Sequence, residues 1–200
     1  MDHETYLTLD GNEWQGASYY TSKDGTGTVS DKVMYIDKTK FPKKVLLWLC
    51  ISEKGMSEPV FFKGGLAVNA KVYQKKCLPK VADFIQKCHE NDDIVFWSDL
   101  ASAHYAPTTL EKMQDPQIPF IPKSLNPPNV PQLRPIEDFW ANLKINIYAG
   151  NYQPKSVDAL IRKMKAALKD IPLSLYSCAM KKIPANIRTA SRYGINSFIH

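Results

Sequence analysis

Apolar and polar positions alternate over residues 2–9, which predicts a first strand beginning abruptly at Met1, as though half of a central strand were missing. A long polar stretch follows, and then the continuous apolar run Val45-Leu46-Leu47-Trp48-Leu49-Cys50-Ile51, of strand length and suited to a buried sheet. Residues 58–63, around Val60-Phe61-Phe62, read as its hairpin partner across Glu53-Lys54-Gly55. Val72, Leu78, Val81, Phe84 and Ile85 then recur at helical intervals within 68–87, where Pro79 should kink or divide the helix. A strand at Ile94–Trp97, a short helix at Thr108–Gln114 and a strand at Ile118–Ile121 complete the middle of the chain. Beyond Pro135 the pattern is helical: Ile136, Phe139, Trp140, Leu143 and Ile147 form one stripe. Val157, Leu160, Ile161, Met164 and Leu168 form another behind a Ser156 cap, and 173–192 supplies a further helix. The order strand, strand, strand, helix, strand, helix, strand, helix predicts an α/β fold, a mixed central sheet flanked by helices, with a helical C-terminal third.

Composition limits this picture to one domain spanning 1–200, since 200 residues with 44% hydrophobic content bury one substantial core. The net charge of +6 is unevenly spread. Residues 139–200 carry ten Lys or Arg against Asp158 and Asp170, a net of +8, whereas residues 1–138 hold 16 basic and 18 acidic groups. A basic helical region of this kind suits a polyanionic partner, because Lys and Arg contacts to phosphate release counterions. The bland alternative is that Lys163, Lys165 and Lys169 are the wet face of an amphipathic helix. Cys50, Cys77, Cys88 and Cys178 show no paired or zinc-binding spacing and predict reduced thiols. No apolar run approaches about 18 residues and no signal pattern opens the chain, so a soluble, intracellular protein with no membrane partner is expected.

Two acidic residues stand where α/β folds gather chemistry. Asp99 follows Ile94-Val95-Phe96-Trp97, at the C-terminal tip of a strand. Glu137 follows Pro135 in the first turn of a helix, where the positive end of the helix favours a carboxylate suited to hard divalent cations. Asp138 competes with it, and Glu4 and Asp10 lie near the first strand. Pro128-Asn129-Val130-Pro131 also matches a PxxP ligand, but it leads from a strand into Glu137.

Asp99-Leu100-Ala101-Ser102-Ala103-His104, followed by the proline loop from Asn126 to Pro135-Ile136-Glu137-Asp138-Phe139-Trp140, resembles the mariner-type branch of the DDE transposases. That family has Asp-x-x-x-x-His at one strand end and a proline loop closing on Pro-Ile-Glu-x-x-Trp; here 37 residues separate Asp99 from Glu137. Asp2, in Met1-Asp2-His3-Glu4, is similar to the family's first acid in Asp-x-Glu, with His3 a departure.

The resemblance implies a ribonuclease-H-like catalytic domain in which Asp2, Asp99 and Glu137 are the catalytic and metal-binding acids. They would hold two Mg²⁺ (or Mn²⁺) ions for DNA strand cleavage and strand transfer. It also implies that His104, Arg134 and Lys144 support the site or touch DNA. Residues 10–44, rich in Gly, Ser, Thr, Lys and Asp, would be a clamp that helps form a homodimer. The N-terminal helix-turn-helix modules of the family are absent from the chain, so phosphate-directed contact with DNA is expected rather than base reading, in the nucleus. The alternative is a catalytically inactive, transposase-derived module that binds nucleic acid or protein.

Overall fold

Strand β1 (Asp2–Thr8) pairs antiparallel with β2 (Lys44–Ser52) along its whole length, from Asp2 opposite Cys50 to Thr8 opposite Lys44. The chain then turns at Glu53 and Lys54. Gly55, at φ 121°, begins the two-residue β3 (Gly55–Met56) in a conformation that a side-chain-bearing residue rarely adopts. β4 (Val60–Lys63) pairs antiparallel with β2, Val60 opposite Trp48 and Lys63 opposite Val45. This computed structural model describes residues 1–11, 40–64, 67–114, 118–128, 130 and 133–194. Most of the polar excursion expected to act as a clamp therefore lies outside the described residues.

β2 is apolar at every inner position because it is buried on both faces. Val45, Leu47, Leu49 and Ile51 enter one core, while Leu46, Trp48 and Cys50 enter the other. The second core is closed by helix α1 (Leu78–His89), by the segment leading into it, and by α2 (Pro107–Gln114). The first is closed by α3 (Pro135–Tyr148), α4 (Val157–Lys169) and α5 (Leu173–Lys181), through Ile136, Phe139, Leu143, Leu160, Met164 and Tyr176 among others. Helices thus cover both faces of the sheet, with α6 (Ile183–Tyr193) packed against the C-terminal layer through Ile183 and Ala190.

Ser156 caps α4 as the sequence predicts, its hydroxyl accepting from the Ala159 amide at 3.1 Å. Pro79 falls in the first turn of α1, immediately after a π-helical turn at Tyr73–Cys77 and a short helical turn at Ala70–Val72. The backbone stays helical through Cys77 and Leu78, and the wider π-helical turn just ahead of Pro79 accommodates a ring that has no N–H to bond one turn back. The single helix expected over 173–192 divides at Lys182 into α5 and α6, with Pro184 in the first turn of α6.

The strands expected at 94–97 and 118–121 are reduced to one parallel bridge between Phe96 and Phe120. It is held by Phe96 N–H to Pro119 O at 2.6 Å and Ile121 N–H to Phe96 O at 3.0 Å. Pro119 and Pro122 have no N–H to extend the ladder, and Val95 faces outward. At the far end of β2, Ser52 Oγ and His89 Nε2 lie 2.7 Å apart. His89 Nδ1 and Lys54 Nζ each lie 2.6 Å from Asp92 Oδ2, which ties the hairpin turn to the end of α1. The four cysteines are free thiols, and burial pushes that of Cys50 up to about 11.

Candidate functional site

The pleat of β1 sends neighbouring side chains to opposite faces of the sheet, and this decides what each can reach. Asp2 faces the α1 side, where Trp48 Nε1 donates to its Oδ2 at 3.0 Å and the Tyr73 hydroxyl donates to the same oxygen at 2.8 Å. Asp2 is fully buried, and its Oδ1 has no hydrogen-bond partner. Burial pushes its carboxyl up, but the opposing charge of His104 and the donors around it outweigh that and hold it below the usual carboxylate range. Tyr73 reaches Asp2 from the π-helical turn, a distortion that recurs at functional sites.

Asp99 leaves the Phe96 bridge region and folds back on itself, its Oδ1 accepting from the Ala101 amide at 2.8 Å. His104 stands between Asp99 and Asp2, with Nδ1 2.5 Å from Asp99 Oδ1 and Nε2 3.4 Å from Asp2 Oδ2. Burial opposes a charged His104, yet the two carboxylates dominate and raise it to about 10. Asp99 is likewise held below the usual range, because the contacts to His104 outweigh its burial. Glu4, with a buried Oε2 that has no partner, is pushed up to about 7 by burial and then by the charge of Asp99.

His3 faces the α3 side. Its Nε2 lies 3.3 Å from Asp99 Oδ2, its Nδ1 lies 3.3 Å from Glu137 Oε1, and Trp140 Nε1 donates to that Nδ1 at 3.2 Å. Glu137 sits in the first turn of α3, as Pro135 predicts, and Trp140 follows one turn later on the same face. His3, Asp99 and Glu137 line a cleft of about 260 Å³ together with Ala101, Pro127 and Arg134. The structure therefore brings Asp99 and Glu137 to one cleft and places the Asp2 carboxylate behind it.

Arg134 is turned inward. It donates to Ser98 O at 3.2 Å and to Asp2 O at 3.1 Å, with its guanidinium 5.7 Å from the Trp97 ring. It thereby joins the three segments that carry the acids. Asn126, at the head of the proline loop, does the same for Trp97 and Ser98, accepting from Trp97 Nε1 and donating to Ser98 O, each at 2.8 Å. Lys144 lies two turns beyond Glu137 on α3 and is half-buried.

The side chains present test whether two Mg²⁺ or Mn²⁺ ions fit. Mg²⁺ is held by oxygens at about 2.0–2.1 Å, so carboxylates that share it stand with nothing between them. Here the His104 ring separates Asp2 from Asp99, and the His3 ring separates Asp99 from Glu137. Among the described residues no group of three His, Cys, Asp or Glu side chains is arranged to hold an ion. The cluster does not fit a two-ion site built only from oxygens.

Sequence reasoning did not single out Trp48 or Tyr73, whose polar ends serve Asp2, and noted His3 only as a departure. A Trp inside the otherwise aliphatic β2 run was the available signal, because a buried indole N–H needs an acceptor.

No protein-family model matches the chain, and no curated protein matches it. Among solved structures, the Mos1 mariner paired-end complex with Mn superposes with a TM-score of 0.76 at 16% identity, covering 94% of this chain and 53% of the Mos1 chain. The Mos1 strand transfer complex gives 0.70 at 16% identity, with 93% and 51% covered. The catalytic domain of Mos1 mariner transposase gives 0.62 at 18% identity, with 72% and 70% covered. The fold is that of a mariner-type transposase catalytic domain, which is ribonuclease-H-like, and this chain spans about half the length of the Mos1 chains in those complexes.

Proposed function

We propose that this chain is a transposase-like domain that holds nucleic acid by its phosphates without cutting it. The observation that carries this reading is the pair of imidazoles, His3 and His104, standing in the spaces between Asp2, Asp99 and Glu137. The fold supports action on DNA, since the Mos1 structures it resembles include a paired-end complex with the left transposon end. The net positive charge of residues 139–200 supports phosphate contact. Nuclear residence, and a homodimer formed through residues 10–44, belong to the same reading.

The second reading is metal-dependent strand cleavage with Asp2, Asp99 and Glu137 as the catalytic acids. It is favoured by Asp99 and Glu137 sharing one cleft. Fluorescence anisotropy on duplex DNA at several salt concentrations, beside a plasmid-nicking assay with Mg²⁺ or Mn²⁺, separates the two. The expected result is salt-sensitive binding with no more nicking than Asp99→Ala gives. Nicking by the wild type that vanishes in Asp99→Ala would establish cleavage instead, and absence of binding would overturn both readings.

A further inference from the structure

We propose that position 3, not position 2, is where this fold presents a side chain to the Asp99–Glu137 cleft, and that His3 closes that cleft to cations. The inference deepens the non-cleaving reading above and rests on its view of the cluster.

The register of β1 carries the argument. Asp2 opposes Cys50 and His3 opposes Leu49, so the two side chains leave the sheet on opposite sides. Leu7, buried in the α3-side core on the same face as His3, fixes this register. Moving Asp2 into the cleft would need a slip of one residue, which would also turn Leu7 out of its core. No rotation of the Asp2 side chain substitutes for that slip, because Trp48, Tyr73 and His104 already surround it on the α1 side.

Position 3 needs no such movement. The His3 ring already spans the cleft, one nitrogen 3.3 Å from Asp99 and the other 3.3 Å from Glu137. Trp140, donating to Nδ1, holds the ring in that orientation. With Nδ1 accepting from Trp140, Nε2 carries the proton and points it at Asp99 Oδ2. The imidazole thus occupies the space through which two carboxylates would share a cation. A carboxylate in its place would face Asp99 and Glu137 as a third acid, and a third charge tightens a hard-cation site.

The test is Mn²⁺ titration by calorimetry of the wild type, His3→Asp, and His3→Asp combined with Asp99→Asn. The wild type is expected to bind weakly, His3→Asp at least about tenfold more tightly, and the combined variant to lose the gain. Circular dichroism establishes folding; should His3→Asp not fold, His3→Ala decides, because removing the ring alone should also raise affinity. A folded variant with no gain overturns the proposal. So does a wild type that already binds as tightly as His3→Asp and loses Mn²⁺ with Asp2→Asn. DNA binding and nicking by the wild type are read separately, so failure here is distinguishable from failure of the functional reading.

Discussion

Tyr73 donates its hydroxyl to Asp2 Oδ2 across 2.8 Å, linking the π-helical turn before α1 to the first residue of β1 with neither side chain reaching water. Deleting the hydroxyl leaves that buried carboxylate oxygen with the Trp48 indole N–H at 3.0 Å and His104 Nε2 at 3.4 Å. Tyr73→Phe is expected to destabilise the fold by about 1–3 kcal/mol, since hydrogen bonds to charged groups are worth more than neutral ones. Urea unfolding measures this as a fall in midpoint at unchanged slope. A change below about 0.5 kcal/mol would mean that Asp2 does not depend on this donor.

The buried Asp2–His104–Asp99 array predicts a stability profile with two descending limbs. Asp2 and Asp99 lie below their ordinary 3.8, so their contribution is present above that pH and is lost as pH falls through the lowered values. His104 is raised to about 10, so its contribution is whole below 6.5 and is lost as pH rises from there to about 10. Glu4, raised from 4.5 to about 7, is a carboxyl that the folded state prefers neutral; what it contributes below 4.5 declines as pH rises to about 7. Unfolding free energy should therefore peak near pH 4–5. The alkaline step is expected to exceed about 2 kcal/mol, each tenfold change in proton affinity being worth about 1.4 kcal/mol. Glu4→Gln should remove the fall between pH 4.5 and 7, and His104→Gln the fall above it. Persistence of the alkaline limb in His104→Gln would assign it to another group.

The elements that the sequence predicts best are those whose pattern has one physical cause. The unbroken 45–51 run reads as a buried strand because both faces of β2 meet helices, and Ser156 reads as a cap because a lone hydroxyl before an amphipathic stretch has few other uses. Glu137 reads as first-turn because Pro135 can begin a helix but not continue one. Less legible was anything that depends on pairing. The weak alternation of 2–9 does not say which face of the sheet Asp2 meets, and a one-residue difference in register exchanges Asp2 for His3. The π-helical turn that aims Tyr73 leaves no periodic trace over five residues. The 94–97 and 118–121 segments are apolar enough for strands, but prolines stop their ladder after one bridge.

The proposed phosphate contact can be located among the basic groups by asking which of them are already engaged. Lys63 pairs with Asp158 at 2.7 Å, and Lys163 and Lys165 lie 5.5 and 5.6 Å from the ring centres of Tyr152 and Phe61. Arg188 and Arg192 are four residues apart on one face of α6, exposed, and without an ion-pair partner among the described residues. No residue of α6 is fully buried, so replacing both arginines should leave the fold intact. Each phosphate neutralised contributes about 0.9 to the slope of log affinity against log salt. Arg188→Ala with Arg192→Ala is therefore expected to reduce that slope by about 1.8, with Lys163→Ala changing it by less than half as much. The measurement is anisotropy-detected DNA binding across a salt series. An unchanged slope in the double variant would place the nucleic acid away from α6 and move the phosphate-binding face elsewhere on the molecule.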